Sequence, residues 1–305
     1  MHNPHTRLAE GTPNWVTIEH MRPVILGSQE IKEGTITRGE LRWHYERLFP
    51  DVHILRDAPR SLYHRTVGAW LWSRERGVIT GRAAAALHGA KWIGDDVPVE
   101  LIWKSYDTPP GIIARDDHFL YDDVYPIDGM AVATVQRCAY DLGRHLPRDE
   151  AVVCLDALSN ATGLRAEWVS PIADRYKGAR HIRRLRTALD LLDGGAQSPK
   201  ETRLRLLLID AGFPRPATQI PVCDDYGAPF AFLDMGWEDA GIAVEYDGDH
   251  HRTERRQYVW DERRLRMIRD RGWRHVKVIA EDRPYDVIDR VRRAWAEREP
   301  GAMVV

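Results

Sequence analysis

The stretch AVEYDGDHHRTERRQ, residues 243–257, joins a short apolar run to a group of acidic and imidazole side chains. Successive side chains of a strand point to opposite faces of a sheet, so Ala243, Glu245 and Asp247 share one face. Two residues of strand rise separate Glu245 from Asp247 by about 6.6 Å. The stretch therefore predicts a strand that carries two carboxylates on one face at its end.

A third carboxylate precedes this strand, in FAFLDMGWEDAG, residues 230–241. This pattern predicts that Asp234 ends a strand, just before a turn. If the two runs pair as a hairpin, Asp234 lies opposite or diagonal to Glu245. Converging carboxylates repel one another unless a cation neutralises them, and oxygen ligands suit Mg²⁺ or Mn²⁺. The alternative is that these acids end strands and stay solvated beside arginines.

The elements around these acids predict an α/β unit that begins after GGAQSP, residues 194–199. Two glycines close one helix there, and Ser198-Pro199 opens the next. A helix comes first, then three β-like runs near 217–224, 229–234 and 241–247. An arginine-rich helix over about 252–271, a strand in RHVKVIA and a final helix follow. One sheet with helices packed on it is the expected result.

Several motifs of this unit occur in the order of a known superfamily: SPKET (198–202), Gln219, FLDMGW (232–237), VEYDGDHH (244–251) and WDERRLRMIRDRGW (260–273). Together they resemble the PD-(D/E)XK nucleases, and more narrowly the very-short-patch-repair (Vsr) mismatch endonucleases. The resemblance covers residues 198–298. It implies a restriction-endonuclease-like mixed sheet with flanking helices, and hydrolysis of DNA that depends on Mg²⁺ or Mn²⁺.

The resemblance also implies site residues. Asp234 and Glu245 match the metal-binding acids, and the carbonyl of Tyr246 would be a further metal ligand. Asp247 stands where the superfamily usually has a lysine that orients the attacking water. Vsr-like members use histidine instead, a role that here falls to His250 and His251. The open alternatives are a solvent-exposed histidine pair and a nuclease fold without catalysis.

Two helices offer supporting residues, each with a structural alternative. Glu201 completes a capping box with Ser198, and the superfamily often has a glutamate near the metal on this helix. Asp261 lies on the apolar stripe of the arginine-rich helix, with Arg264 at i+3. These two side chains either lock the helix to the sheet or hold a scissile phosphate.

The first part of the chain is expected to be α/β and helical, so that the whole chain is α/β (α+β overall). Thr37 and Glu40 form a capping box before a helix predicted through Leu48. We expect a winged-helix-like DNA-binding region over 1–77 and a further domain over 78–193. GVITGRAAAALHGAKWIG (77–94), PVELIW (98–103), GMAVATVQRCAYDLGRH (129–145) and AVVCLDALSNATGL (151–164) resemble the AbiEi-like antitoxins of type IV toxin–antitoxin systems.

This second resemblance implies DNA binding and a cognate toxin as a further partner. Candidate DNA contacts are Arg38 and Arg42, at i, i+4 on the capped helix. The basic segment RYKGARHIRRLRTALD, residues 175–190, adds Arg180, Arg183 and Arg184. Such a cluster can neutralise phosphates. The alternative is a solvated outer face of a helix whose leucines point inward.

The composition of the chain excludes some classes of protein, but it does not decide between an active nuclease and an inactive one. The chain has 305 residues, 43% hydrophobic and 30% charged, with a formal net charge of −2. It contains no apolar run near the ~20 residues of a membrane helix and no signal-peptide pattern, so we expect a cytoplasmic protein without a membrane partner. No GxxxxGK[ST] phosphate loop is present. The leading prediction is a DNA endonuclease, and the alternative is a catalytically inactive nuclease-fold regulator or antitoxin.

Overall fold

The computed structural model describes residues 21–247 and 255–297, with the side chains of 255–261 left outside the description. A small three-stranded sheet with order β1-β3-β2 opens the described chain. Its strands and the neighbouring helices are β1 (Val24–Leu26), α1 (Gly27–Glu33), α2 (Arg38–His44), β2 (Tyr45–Phe49), β3 (Val52–Leu55) and α3 (Leu62–Trp72).

The capping box before α2 is confirmed, but the predicted length of this helix is wrong. The backbone N–H of Glu40 donates to Oγ1 of Thr37 at 3.1 Å, and the Glu40 carboxylate accepts from the Thr37 N–H at 2.7 Å. The helix ends at His44, and Tyr45 starts a strand that pairs with β3. This pairing buries Tyr45 and Phe49, which is a larger gain than another turn of an exposed helix.

A mixed five-stranded sheet with order β6-β5-β4-β8-β7 follows. Its strands are β4 (Val78–Thr80), β5 (Val99–Ile102), β6 (Ile112–Arg115), β7 (Val124–Ile127) and β8 (Met130–Ala133). The helices of this part are α4 (Gly81–Leu87), α5 (Val135–His145), α6 (Arg148–Thr162), α7 (Ala166–Arg175) and α8 (Ile182–Leu191). Strands and helices share one continuous apolar core, which also includes residues of the first sheet.

The last part has the element order that the sequence predicts. Its elements are α9 (Pro199–Asp210), β9 (Ala217–Cys223), β10 (Pro229–Trp237), β11 (Ile242–Tyr246), α10 (Arg255–Asp270), β12 (Arg274–Val278) and α11 (Pro284–Ala296). They build a four-stranded sheet of order β12-β11-β10-β9. β9, β10 and β11 are antiparallel, whereas β11 and β12 are parallel.

One strand boundary differs from the prediction. β10 continues to Trp237, so Asp234 lies inside the strand and not at its end. Gly236 makes the continuation possible, because a Cβ at this position would lie 2.3 Å from the carbonyl oxygen of Ile242 on β11. Gly236, which the sequence pattern assigns to a turn, therefore allows the backbones of β10 and β11 to approach closely.

Helix α9 connects the last sheet to the rest of the protein. Its Leu206 belongs to the core of the preceding part, while Leu204 and Leu208 pack in the core beneath the four-stranded sheet. The division into regions 1–77, 78–193 and 198–298 stays a prediction. Among the described residues, the structure contains no helix with both the length and the apolarity needed to cross a membrane.

Candidate functional site

The antiparallel pairing of β10 and β11 brings two of the predicted acids together. Met235 pairs with Val244, and the next position along each strand is Asp234 on one and Glu245 on the other. The backbone N–H of Tyr246 donates to Oδ2 of Asp234 at 2.8 Å. The hairpin that the sequence predicts therefore places Asp234 beside the strand of Glu245.

Glu245 is buried and has two nitrogen partners, one from arginine and one from histidine. Nη2 of Arg264 on α10 donates to Oε1 of Glu245 at 2.8 Å, and to the carbonyl of Phe232 at 2.9 Å. His275 on β12 forms a hydrogen bond with the other carboxylate oxygen of Glu245. Burial is the largest single influence and raises the pKa of Glu245, but His275 and Arg264 together lower that pKa below its usual value.

Asp234 has the opposite electrostatic setting. Burial, followed by the charge of Glu201 and that of Glu245, raises the pKa of Asp234 to about 7. The hydrogen bond from Tyr246 and the charge of Arg264 offset only part of this effect. Because Glu201 contributes from α9, three acids from a helix and two strands create a negative potential at one place.

Glu201 itself acts as a helix cap. Its carboxylate accepts from the backbone N–H of Gln197 at 2.8 Å and from Oγ of Ser198 at 2.9 Å, while its own N–H donates to Ser198 at 3.2 Å. The Ser198 cap is thus confirmed, but the reciprocal bond of a capping box differs from the prediction, because Glu201 accepts from the N–H of Gln197, one residue before the cap. The charge of Glu201 also raises the pKa of Asp234, so this residue influences the acidic site in addition to capping the helix.

The neighbouring strand supplies two side chains that the sequence reasoning missed. In the parallel register Ala243 pairs with His275, and Glu245 pairs with Lys277. His275 contacts Glu245, and Lys277 forms an ion pair with Asp247. The lysine absent from position 247 therefore has a counterpart on β12. The alternation in RHVKV shows that His275 and Lys277 share a face, but not which strand lies next to them.

Some predicted site residues cannot be placed. His250 and His251 lie outside the described residues, and so does the side chain of Asp261. Metal binding by the carbonyl of Tyr246 stays a prediction. Arg264, in contrast, lies where the sequence places it, in contact with the acidic strand.

Among the described residues, the acids of the last sheet do not form a ready group of metal ligands. Within 21–247 and 255–297, the group of three whose ligand atoms all lie within 4.8 Å of one another is Asp117, Asp141 and His145. Arg144 contacts both of these aspartates, and Arg137 contacts Asp141. The two guanidinium groups already neutralise the carboxylates, so we interpret this group as an ion-pair network.

The candidate DNA-binding arginines lie on the surface. Arg38 and Arg42 are exposed on α2, and Arg183 and Arg184 are exposed on the first turn of α8. Arg180 is exposed in the loop before α8 and borders a cavity. These positions are open to a polyanion, but they are equally those of solvated arginines.

The fold defines an α/β protein whose last sheet carries one buried acid, Glu245, and two half-buried acids, Asp234 and Asp247. Comparison with known proteins finds two uncharacterized proteins of Mycobacterium tuberculosis, from strains CDC 1551 / Oshkosh and ATCC 25618 / H37Rv. Each is 30% identical over 145 residues, which is 47% of this chain and 53% of the relative. The chain thus spans about half the length of the curated relatives it matches. No family model matches the chain, and neither does any solved structure.

Proposed function

We propose that residues 198–298 act as a divalent-metal-dependent DNA endonuclease, which the preceding part of the chain brings to DNA in the cytoplasm. The observation that carries the proposal is the placement of Asp234 next to Glu245 on paired strands, with the charge of Glu201 acting on Asp234. The element order of this unit, which is helix, three strands, helix, strand and helix around one mixed sheet, also supports the proposal. This is the architecture that the resemblance to PD-(D/E)XK nucleases implies.

The donor atoms suit a hard cation. Asp234, Glu245 and Glu201 offer only oxygen ligands, which Mg²⁺ and Mn²⁺ prefer. The pKa of Asp234 is raised to about 7, because its charged form is unfavourable among neighbouring acids. A divalent ion would replace the proton and stabilise that charged form. Asp234 and Glu245 would hold the ion, and Glu201 would add negative charge behind them.

A bound divalent ion would polarise the phosphoryl oxygen and lower the pKa of a water molecule. The protein's own residues have separate tasks. Arg264 neutralises Glu245 in the protein alone and would bind a phosphate when a metal ion takes that role. His275 is placed to exchange a proton at Nε2 with the carboxylate of Glu245. Lys277 balances the charge of Asp247 at the end of the strand.

A second candidate function is a nuclease-fold regulator that binds DNA without cleaving it. It is favoured by the ion pairs, because Glu245 contacts Arg264 and His275 while Asp247 contacts Lys277. In such a protein these pairs would be permanent structural contacts. The front part would then supply the DNA affinity, with a toxin as a further partner.

A plasmid-nicking assay with Mg²⁺ or Mn²⁺ distinguishes the two functions. The parent chain should cut, while Asp234→Asn and Glu245→Gln should abolish cleavage and keep the circular dichroism spectrum of a folded protein. Asp239→Asn is the matched control, because this exposed acid lies in the turn between β10 and β11. Equal cleavage by parent and Asp234→Asn excludes this site. DNA binding without cleavage by the parent supports the regulator.

A further inference from the structure

A cavity of about 560 Å³ lies far along the chain from the acidic site, in the part that contains α5 and α7. Its walls come from the loop after β6, from α5, and from the segment that joins α7 to α8. Six cationic side chains line this cavity: Arg115, Arg137, Arg144, Arg175, Lys177 and Arg180. One carboxylate, that of Asp117, lines the cavity as well and pairs with Arg144.

Half of these cations are held in place by carboxylates. Arg137 pairs with Asp141 at 3.0 Å and with Asp123 at 3.3 Å. Arg175 pairs with Asp123 at 3.0 Å, and Arg144 contacts Asp141 at 3.4 Å. These contacts build a rigid floor, because Arg137 and Arg144 are almost fully buried.

Among the other three cations, the charge of Arg115 acts on the buried carboxylate of Glu100, whereas Lys177 and Arg180 form no ion pair within the part of the chain that the structure describes. Arg115 ends β6, whereas Lys177 and Arg180 belong to the segment before α8. The segment before α8 therefore brings two cations without a carboxylate partner to this cavity, and Arg115 adds a third positive charge from β6. Arginine and lysine gathered in this way are the usual ligands of phosphate groups.

Two buried polar atoms beside the cavity have no hydrogen-bond partner in the described structure. They are the hydroxyl of Tyr140 and Nε of Arg144, on residues that are 1% and 2% exposed. Both residues line the cavity. A buried polar group without a partner costs free energy, so these atoms indicate polar contacts that a ligand can complete.

The N-terminus of α8 adds to the positive electrostatic potential in this cavity. His181, which also lines the cavity, is the residue before this ten-residue helix and does not cap it with its side chain. Its φ is 64°, an uncommon conformation for a residue other than glycine. The uncapped N–H groups carry the positive end of the helix dipole, which favours an anion nearby.

We infer that this cavity is a binding site for the terminal phosphate of a ligand of nucleotide size. The volume lies within the range of small-ligand sites, and is far too small for a duplex. The shared chemistry is a terminal phosphate with two negative charges, and it can come from a free nucleotide or from the 5′-phosphorylated end of a strand. The site is independent of the proposed hydrolytic activity, since it shares no residue with the acidic sheet.

Calorimetric titration of the full chain with ADP, inorganic pyrophosphate and a short oligonucleotide, 5′-phosphorylated or 5′-hydroxyl, tests this inference. Lys177→Ala/Arg180→Ala should weaken binding at least about tenfold, the loss of one charge-assisted hydrogen bond. The matched control is Lys32→Ala/Arg186→Ala, which removes the same charges from exposed positions outside the cavity. It should leave the affinity within about twofold, as surface charges are screened by salt.

Binding of ADP that is lost only in the cavity variant supports a free nucleotide as the ligand, and binding of pyrophosphate that is lost in the same variant supports the phosphate site itself. Binding of only the 5′-phosphorylated oligonucleotide, lost in the same variant, supports the site with a strand end as the source. Three results overturn the inference: no binding of any probe, equal weakening in both double variants, or equal binding of the 5′-hydroxyl oligonucleotide.

Discussion

Nη2 of Arg264 donates a hydrogen bond to Oε1 of Glu245 at 2.8 Å, across the gap between α10 and the four-stranded sheet. The carboxylate proposed as a metal ligand therefore already carries a neutralising charge. Metal binding and this ion pair must compete for the same oxygen atoms.

Arg264→Gln should raise the affinity for Mn²⁺, because the competing charge is removed. We expect a gain of about fivefold, on the order of 1 kcal/mol for a partly buried charge. Cleavage at saturating metal should fall at least about tenfold, since a phosphate-binding cation is lost. Titration calorimetry and nicking assays measure the two effects, with the exposed Arg266→Gln as the control. An unchanged metal affinity would show that Glu245 is not a ligand.

Asp234→Asn should stabilise the protein against unfolding above neutral pH. The folded state keeps the Asp234 proton up to about pH 7, whereas an unfolded aspartate loses it near pH 4. Rising pH therefore favours unfolding between these values, and Asn removes this effect while its carbonyl still accepts from Tyr246. The gain should be near zero at about pH 4 and on the order of 4 kcal/mol at about pH 8.

Urea unfolding of both proteins at several pH values measures this difference. The matched Asp239→Asn variant carries the same change at an exposed position and should show no such pH dependence. If Asp234→Asn is less stable than the parent protein at about pH 8, the charged form of Asp234 does not destabilise the folded state as proposed.

Mn²⁺ should raise the melting temperature of the parent protein, because a ligand that binds only the folded state stabilises it. The increase should be larger at about pH 8 than at about pH 6, since Asp234 must release its proton. Differential scanning fluorimetry provides the measurement. Asp234→Asn should show little shift, and a shift equal to that of the parent would place the metal elsewhere.

Arg205→Leu should destabilise the protein by roughly 3 to 5 kcal/mol, because it leaves a buried carboxylate without its partner. Arg205 on α9 donates to Oδ2 of Asp156 on α6 at 2.8 Å, and the two side chains are 0% and 1% exposed. Burial raises the pKa of Asp156 to about 6. This pair joins the last unit to the preceding one.

Chemical unfolding tests the role of this pair. Arg203→Leu is the control, since this arginine lies exposed on the same helix. The added change Asp156→Asn should recover part of the lost stability, because the uncompensated charge disappears. A loss below about 1 kcal/mol in Arg205→Leu would mean that the junction does not depend on the pair.

The sequence by itself determined the local elements and the nearest neighbours of the acidic strand. The Ser198 cap, the order of elements after it and the approach of Asp234 to Glu245 all follow from patterns within a few residues or from one hairpin. The end of α2 at His44 did not follow, because burial of Tyr45 against β3 outweighs the helical spacing.

Only the tertiary structure decided which distant side chains share a site. His275 reaches Glu245, and Lys277 reaches Asp247, because α10 returns the chain so that β12 lies parallel to β11. The cavity that gathers Arg115 and Arg180 depends likewise on the packing of separate segments. Periodicity reports the face of a strand or helix, but the partner of that face is set by long-range packing of the whole core.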